Sequence, residues 1–125
     1  MNIHELIAHQ RMWEAARRIE NPDYNLHRAQ VELDEAKEEG DPYAKLIEIA
    51  DTFIILSGGA AKLCDELGLP YEQINELIKM KLEINDRKYP VSIVDRFPDM
   101  AAYIAHCRAC YSQGVDPIEA LTKTV

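Results

Sequence analysis

Apolar and polar residues alternate along this chain at helical spacing almost from end to end. Ile3, Leu6, Ile7, Gln10 and Trp13 form one stripe, which predicts a first helix over residues 3–19. Asn21-Pro22-Asp23 stops it. A second helix is predicted from about Tyr24 to Glu39, with Leu26, Ala29, Leu33 and Ala36 on its apolar side. Gly40-Asp41-Pro42 then reads as a tight turn, with Gly at C′ of one helix and Asp and Pro as N-cap and N1 of the next. The third helix, Pro42 to about Leu67, is the most apolar: eight of the eleven residues from Leu46 to Leu56 are hydrophobic. Such a helix is expected to be central and buried. Its Ser57-Gly58-Gly59 step calls for either close packing or a kink. Gly68 closes it, and Pro70 opens a fourth helix running to about Arg87. Residues Tyr89 to Phe97 read as a loop. A fifth helix from Pro98 to Gln113 and a short last one from Asp116-Pro117 complete the chain. No stretch has the period of a strand, so the expected fold class is all-α, a helical bundle in a single domain over residues 1–125, built on an antiparallel hairpin of the second and third helices.

Composition narrows the functional classes. A net charge of −8 argues against duplex nucleic acid as a partner, which needs a basic footprint. No run approaches the roughly 20 apolar residues of a membrane span, and nothing resembles a signal peptide. Three cysteines, an odd number, suggest reduced thiols and a cytoplasmic setting.

Inside this frame lie two acidic pairs, Glu32-Leu-Asp-Glu35 and Glu48-Ile-Ala-Asp51. Each has i, i+3 spacing, so both carboxylates of a pair leave the helix on nearly one face. Mirroring residue numbers about the turn at 41.5 sets Glu35 opposite Glu48 (6.5 residues either side) and Glu32 opposite Asp51 (9.5 either side). Four carboxylates then converge within a hairpin, and the second pair sits in the most apolar helix. Desolvation and mutual repulsion would both be costly there unless a cation neutralised them. An all-oxygen donor set suits the hard ions Mg²⁺ and Mn²⁺.

On the fourth helix, Lys81, Asn85 and, at its end, Lys88 share the sector of Ile74, Leu77, Ile78 and Leu82, where they could meet phosphate or sugar oxygens; Arg87 points elsewhere. Trp13 is either packing or a platform for a nucleobase. The lone Cys107-x-x-Cys110 with His106 lacks a second ligand pair and reads as packing.

The spacing Glu32-x-x-Glu35, twelve residues, Glu48-x-x-Asp51, followed by Lys81-x-x-x-Asn85-x-Arg87-Lys88, resembles the signature of the MazG-like all-α nucleoside triphosphate pyrophosphatases. The resemblance spans about residues 28–90. It implies Mg²⁺-dependent hydrolysis of a nucleoside triphosphate to the monophosphate and pyrophosphate. It also implies a homodimer or homotetramer of helical bundles, with Glu32, Glu35, Glu48 and Asp51 as metal ligands. One motif glutamate, Glu35 or Glu48, would be the catalytic base, and Lys81, Asn85, Arg87 and Lys88 would contact substrate; Trp13, outside the resemblance, is a candidate substrate contact only as the nucleobase platform. Val31 departs from the pattern, since many members carry a further acid there. Two rival functions share these features: phosphoribosyl-ATP pyrophosphohydrolysis, and a non-enzymatic helical oligomerisation module holding a structural cation. A di-iron bundle fits less well, because the hairpin lacks Glu-x-x-His pairs.

Overall fold

A computed structural model describes residues 1–122, all of whose regular elements are helices: α1 (Ile3–Ala15), α2 (Pro22–Glu38), α3 (Pro42–Leu67), α4 (Gln73–Lys88), α5 (Val91–Val94), α6 (Met100–Ser112) and α7 (Pro117–Thr122). The chain divides into two compact units, Met1–Lys79 and a second beginning at Met80.

In the first unit, local chemistry sets each boundary. Asn2 and Glu5 form a capping box at the start of α1. The helix ends four residues earlier than its stripe suggests, and Arg18 adopts a left-handed φ of 61° just beyond it. Asn21 caps α2 by accepting from the Asp23 amide at 2.9 Å, with Pro22 in its first turn. Asp41 does the same for α3 through the Ala44 amide at 2.9 Å. Gly68, at φ 68°, ends α3, and the Leu69 amide turns back onto the Cys64 carbonyl at 2.8 Å.

α2 and α3 lie side by side in the predicted register. Asn25 and Gly58 both stand 16.5 residues from the turn at 41.5, and a Cβ on Gly58 would lie 2.7 Å from Asn25 Nδ2. The same Cβ would fall inside the Glu14 carboxylate of α1. The glycine step therefore serves close packing: three helices meet where no side chain fits on α3. α3 is continuous through it.

The expectation of a buried α3 is met on one side only. Its buried residues are small or polar, among them Thr52, Ser57, Ala61, Lys62 and Cys64. The large aliphatic and aromatic ones remain open, with Leu46 58%, Ile47 54% and Phe53 64% exposed. Close approach selects small residues for the α1 and α2 contacts, which leaves the bulky ones to project on the opposite side. The stripe of α4 is likewise uncovered: Leu77 and Leu82 are exposed, and no residue of that helix is buried.

In the second unit Tyr103 is fully buried. Its hydroxyl donates to the Lys88 carbonyl, and its ring meets Tyr89 and Phe97 edge-on at 5.7 and 5.3 Å. Burial and the neighbouring Cys107 push its phenol well up. The stretch expected to be a loop contains α5, and α6 starts at Met100, capped by Asp99. Cys64, Cys107 and Cys110 are buried free thiols. No helix of the described residues is long and apolar enough to cross a membrane.

Candidate metal centre and adjoining pocket

On α2, residues 25, 29, 32 and 36 follow one helical face, and all four are buried. Glu32 therefore points inward, 95% shielded, while Glu35, three positions on, is exposed. On α3 the half-buried Glu48 and the exposed Asp51 lie opposite. Carboxylate oxygens of Glu32, Glu48 and Asp51 all lie within 4.8 Å of one another. The hairpin register thus brings three of the four expected acids together, and Glu35 is outside this group.

The electrostatics of the triad are those of crowded like charges. A hydrogen bond with Glu48, then burial, then the charges of Asp51 and Glu48 raise the Glu32 carboxyl above its ordinary range. Arg28, one turn back, donates to Glu32 Oε1 at 2.8 Å and offsets this only in part.

Beside the triad lies a pocket of about 380 Å³ between α1, α2 and α3. Trp13 and Tyr24 line it with His9 and Ile54, and Arg28 and Asp51 stand on its wall. Asp51 and Arg28 therefore each belong to both places: Asp51 is one of the triad, and Arg28 pairs with another member. Trp13 is 43% exposed, with the Arg17 guanidinium 3.8 Å from its ring centroid.

The pocket's polar wall was not expected from the sequence. Gln10, Glu14 and Asn25 line it, and each is more than 90% buried. Gln10 Nε2 donates to Glu14 Oε2 at 2.9 Å. Asn25 Nδ2 donates to both Glu14 oxygens, at 3.0 and 3.1 Å, and to the Ile55 carbonyl at 2.8 Å. Behind them Lys62, 5% exposed, pairs with Glu14 and donates to Asn25 Oδ1 at 2.6 Å. Burial alone would raise the Glu14 carboxyl, but hydrogen bonds from Lys62, Asn25 and Gln10 outweigh it and hold the group below its usual range. One signal in the sequence is Gln10, a polar member of an otherwise apolar stripe. Lys62, a lone charge among the alanines and aliphatics of α3, was the other available signal.

The remaining expected site residues lie in the second unit. Lys81, Asn85, Arg87 and Lys88 are exposed, and among the described residues no hydrogen bond or ion pair engages their side chains. In α6, Cys110 Sγ stands 3.7 Å from Nε2 and 3.9 Å from Nδ1 of His106. No third potential ligand joins them among the described residues, in keeping with packing. A second groove in the first unit, of about 450 Å³, runs past Ile3, Phe53, Leu56 and Ile78 and carries no charged side chain.

Compared with family models, curated proteins and solved structures, the chain matches none of them.

Proposed function

We propose that this protein hydrolyses a nucleoside triphosphate to the monophosphate and pyrophosphate, using Mg²⁺ or Mn²⁺ held by Glu32, Glu48 and Asp51. The observation that carries the reading is the double membership of Asp51, which stands in the acid triad and on the wall of the aromatic-lined pocket.

The donors fit such an ion. Three carboxylates are hard oxygen ligands, and their oxygens, all within 4.8 Å of one another, are near enough for one cation to be held among them. The raised Glu32 carboxyl also fits, since a cation relieves the repulsion that causes the shift. When bound, the metal would polarise phosphoryl oxygens and lower the pKa of a water.

The chain's own residues supply the rest. Trp13 and Tyr24 offer aromatic surface to a nucleobase, and the Gln10 and Asn25 amides lie on the pocket's polar wall. Arg28 offers positive charge between the pocket and the triad, where phosphates would lie. Glu35 lies outside the triad and is the better candidate for the base, because a carboxylate committed to the cation is a poor proton acceptor.

The test is pyrophosphate release from a panel of ribo- and deoxyribonucleoside triphosphates, with Mg²⁺ and with chelator. Metal-dependent release that disappears in Glu48→Gln supports the reading. Release that is absent, or that survives Glu48→Gln/Asp51→Asn, removes it.

The uncovered side of α3 favours one addition. Leu46, Ile47 and Phe53 in water are what self-association would bury, so a homodimer or homotetramer is part of the proposal. A stable 14.3 kDa species in sedimentation at micromolar concentration would exclude it.

A further inference from the structure

The Glu14–Lys62 pair is a poor candidate for a stability device. Both side chains are almost wholly buried, and a buried ion pair usually loses in desolvation about what it gains in attraction. Nor does Lys62 line the pocket. What it does is remove choice from the two amides that do.

The hydrogen-bond chemistry fixes each orientation. A lysine ammonium can only donate, so the Asn25 atom facing Lys62 must be its oxygen. Asn25 Nδ2 then has both hydrogens committed, to Glu14 and to the Ile55 carbonyl. A carboxylate kept ionised can only accept, so the Gln10 atom facing Glu14 must be its nitrogen. That leaves Gln10 with its oxygen and one N–H unengaged among the described residues, an acceptor and a donor on a pocket-lining residue that is itself 94% shielded. Such an edge is complementary to a planar heterocycle carrying a donor and an acceptor on adjacent atoms, which is how an amide reads a base.

We propose that Lys62 is a positioning residue for base selection: acting through Glu14, it locks the Gln10 and Asn25 amides so that Gln10 presents one fixed donor–acceptor edge to a nucleobase in the pocket. This rests on the pocket reading above, but not on the hydrolysis itself. Without the lock, the Gln10 amide can turn over, exchanging donor for acceptor, and the pocket loses its reason to prefer one base edge over another, while Asn25 keeps its bond to the Ile55 carbonyl. Gly58 belongs to the same device, since only a residue without a side chain lets α3 approach Glu14 this closely.

Two variants separate positioning from folding. Lys62→Met leaves Glu14 buried and unpaired and can fail to fold. Lys62→Met/Glu14→Gln removes both charges, and it should melt at or above the wild-type temperature. In the full-length protein with Mg²⁺, kcat/KM for ATP, GTP, CTP and UTP is measured for wild type and double variant. The expected result is a tenfold or greater collapse of the ratio between the best and next-best base, with the loss falling on KM more than on kcat. An unchanged ratio in a folded double variant overturns the proposal.

A metal-free arm keeps the two readings apart. The side-chain amide signals of Gln10 and Asn25 are followed by ¹⁵N NMR while the four nucleoside monophosphates are added. The expected result is base-selective movement of the Gln10 signal in wild type, and affinities that become alike across the four in the double variant. If binding is selective but no triphosphate is hydrolysed, the enzyme reading falls and the positioning role stands. If no monophosphate moves the Gln10 signal, the positioning role falls whatever the hydrolysis assay gives.

Discussion

Replacing Glu32 by glutamine should make the metal-free protein more stable. Glu32 faces two carboxylates within 4.8 Å. At that distance each repulsion is worth about 0.9 kcal/mol at the dielectric of water and about 3.5 kcal/mol at an effective value of 20. Asp51 is exposed and Glu48 half-buried, so values near the lower bound apply, giving about 2 kcal/mol for the two pairs. The lost ion pair with Arg28 takes back roughly 0.3–0.5 kcal/mol of this, as expected for an i, i+4 pair. Screening of these part-exposed charges by salt removes more, leaving a net gain of about 1 kcal/mol. For a chain of this size that is a rise of roughly 3–6 °C in Tm. The sign with pH follows from the raised carboxyl: the folded state binds the extra proton, so wild-type stability in chelator falls as pH climbs through that raised value. Glu32→Gln should flatten this slope, and 1 M salt should shrink the difference. Added Mg²⁺ or Mn²⁺ reverses the order, because wild type gains about 2.7 kcal/mol at a hundredfold excess over Kd while the variant gains little. Scanning calorimetry in chelator and in metal measures all of this. A Glu32→Gln protein that melts below wild type in chelator would refute the picture of three repelling carboxylates.

Three further outcomes follow from the same structure. Gly58→Ala should cost about 1–3 kcal/mol in urea unfolding, because its Cβ enters the Glu14 carboxylate, whereas Gly40→Ala, with nothing within 4 Å, should be close to neutral. Glu14, held below the ordinary carboxylate range, contributes stability that is complete above about pH 4.5 and lost as pH falls through its depressed value; Glu14→Gln/Lys62→Met should unfold over a shallower acid transition. Trp13→Ala should raise KM for triphosphate by roughly five- to a hundredfold, on the scale of about 1–3 kcal/mol for base stacking, without changing Mn²⁺ affinity measured by calorimetry.

The hairpin was legible because its signals are local. Asn21-Pro22, Asp41-Pro42 and Gly68 each set a helix boundary by capping chemistry within a few residues, and the turn then fixed which acids could meet. The stripe of Leu26, Ala29, Leu33 and Ala36 has Glu32 at its border and Glu35 further round, too slight a difference to choose between them. Both satisfy the i, i+3 spacing, and only the packing of Asn25, Ala29 and Ala36 against neighbouring helices turns one inward. The Glu14–Lys62 pair was illegible for a related reason. Each member sits alone on its own helix, where it reads as a solvated charge, and its partner is 48 residues away. The exposure of Leu46 and Phe53 was missed because an apolar run reports a preference for burial, not whether the same chain supplies the cover.

The burial of all three cysteines opens an experimental route. Cys64 is shielded enough for its thiol to be pushed up, first by desolvation and then by Asp65, and Cys107 and Cys110 are each 9% exposed. Thiols so screened react slowly with alkylating dyes. The native sequence is therefore already a quiet background for single-site labelling. A Tyr24→Cys variant would place one reactive sulfur on a pocket residue that is 45% exposed. A fluorophore there would report occupancy of the pocket as it happens, before any phosphate bond has broken.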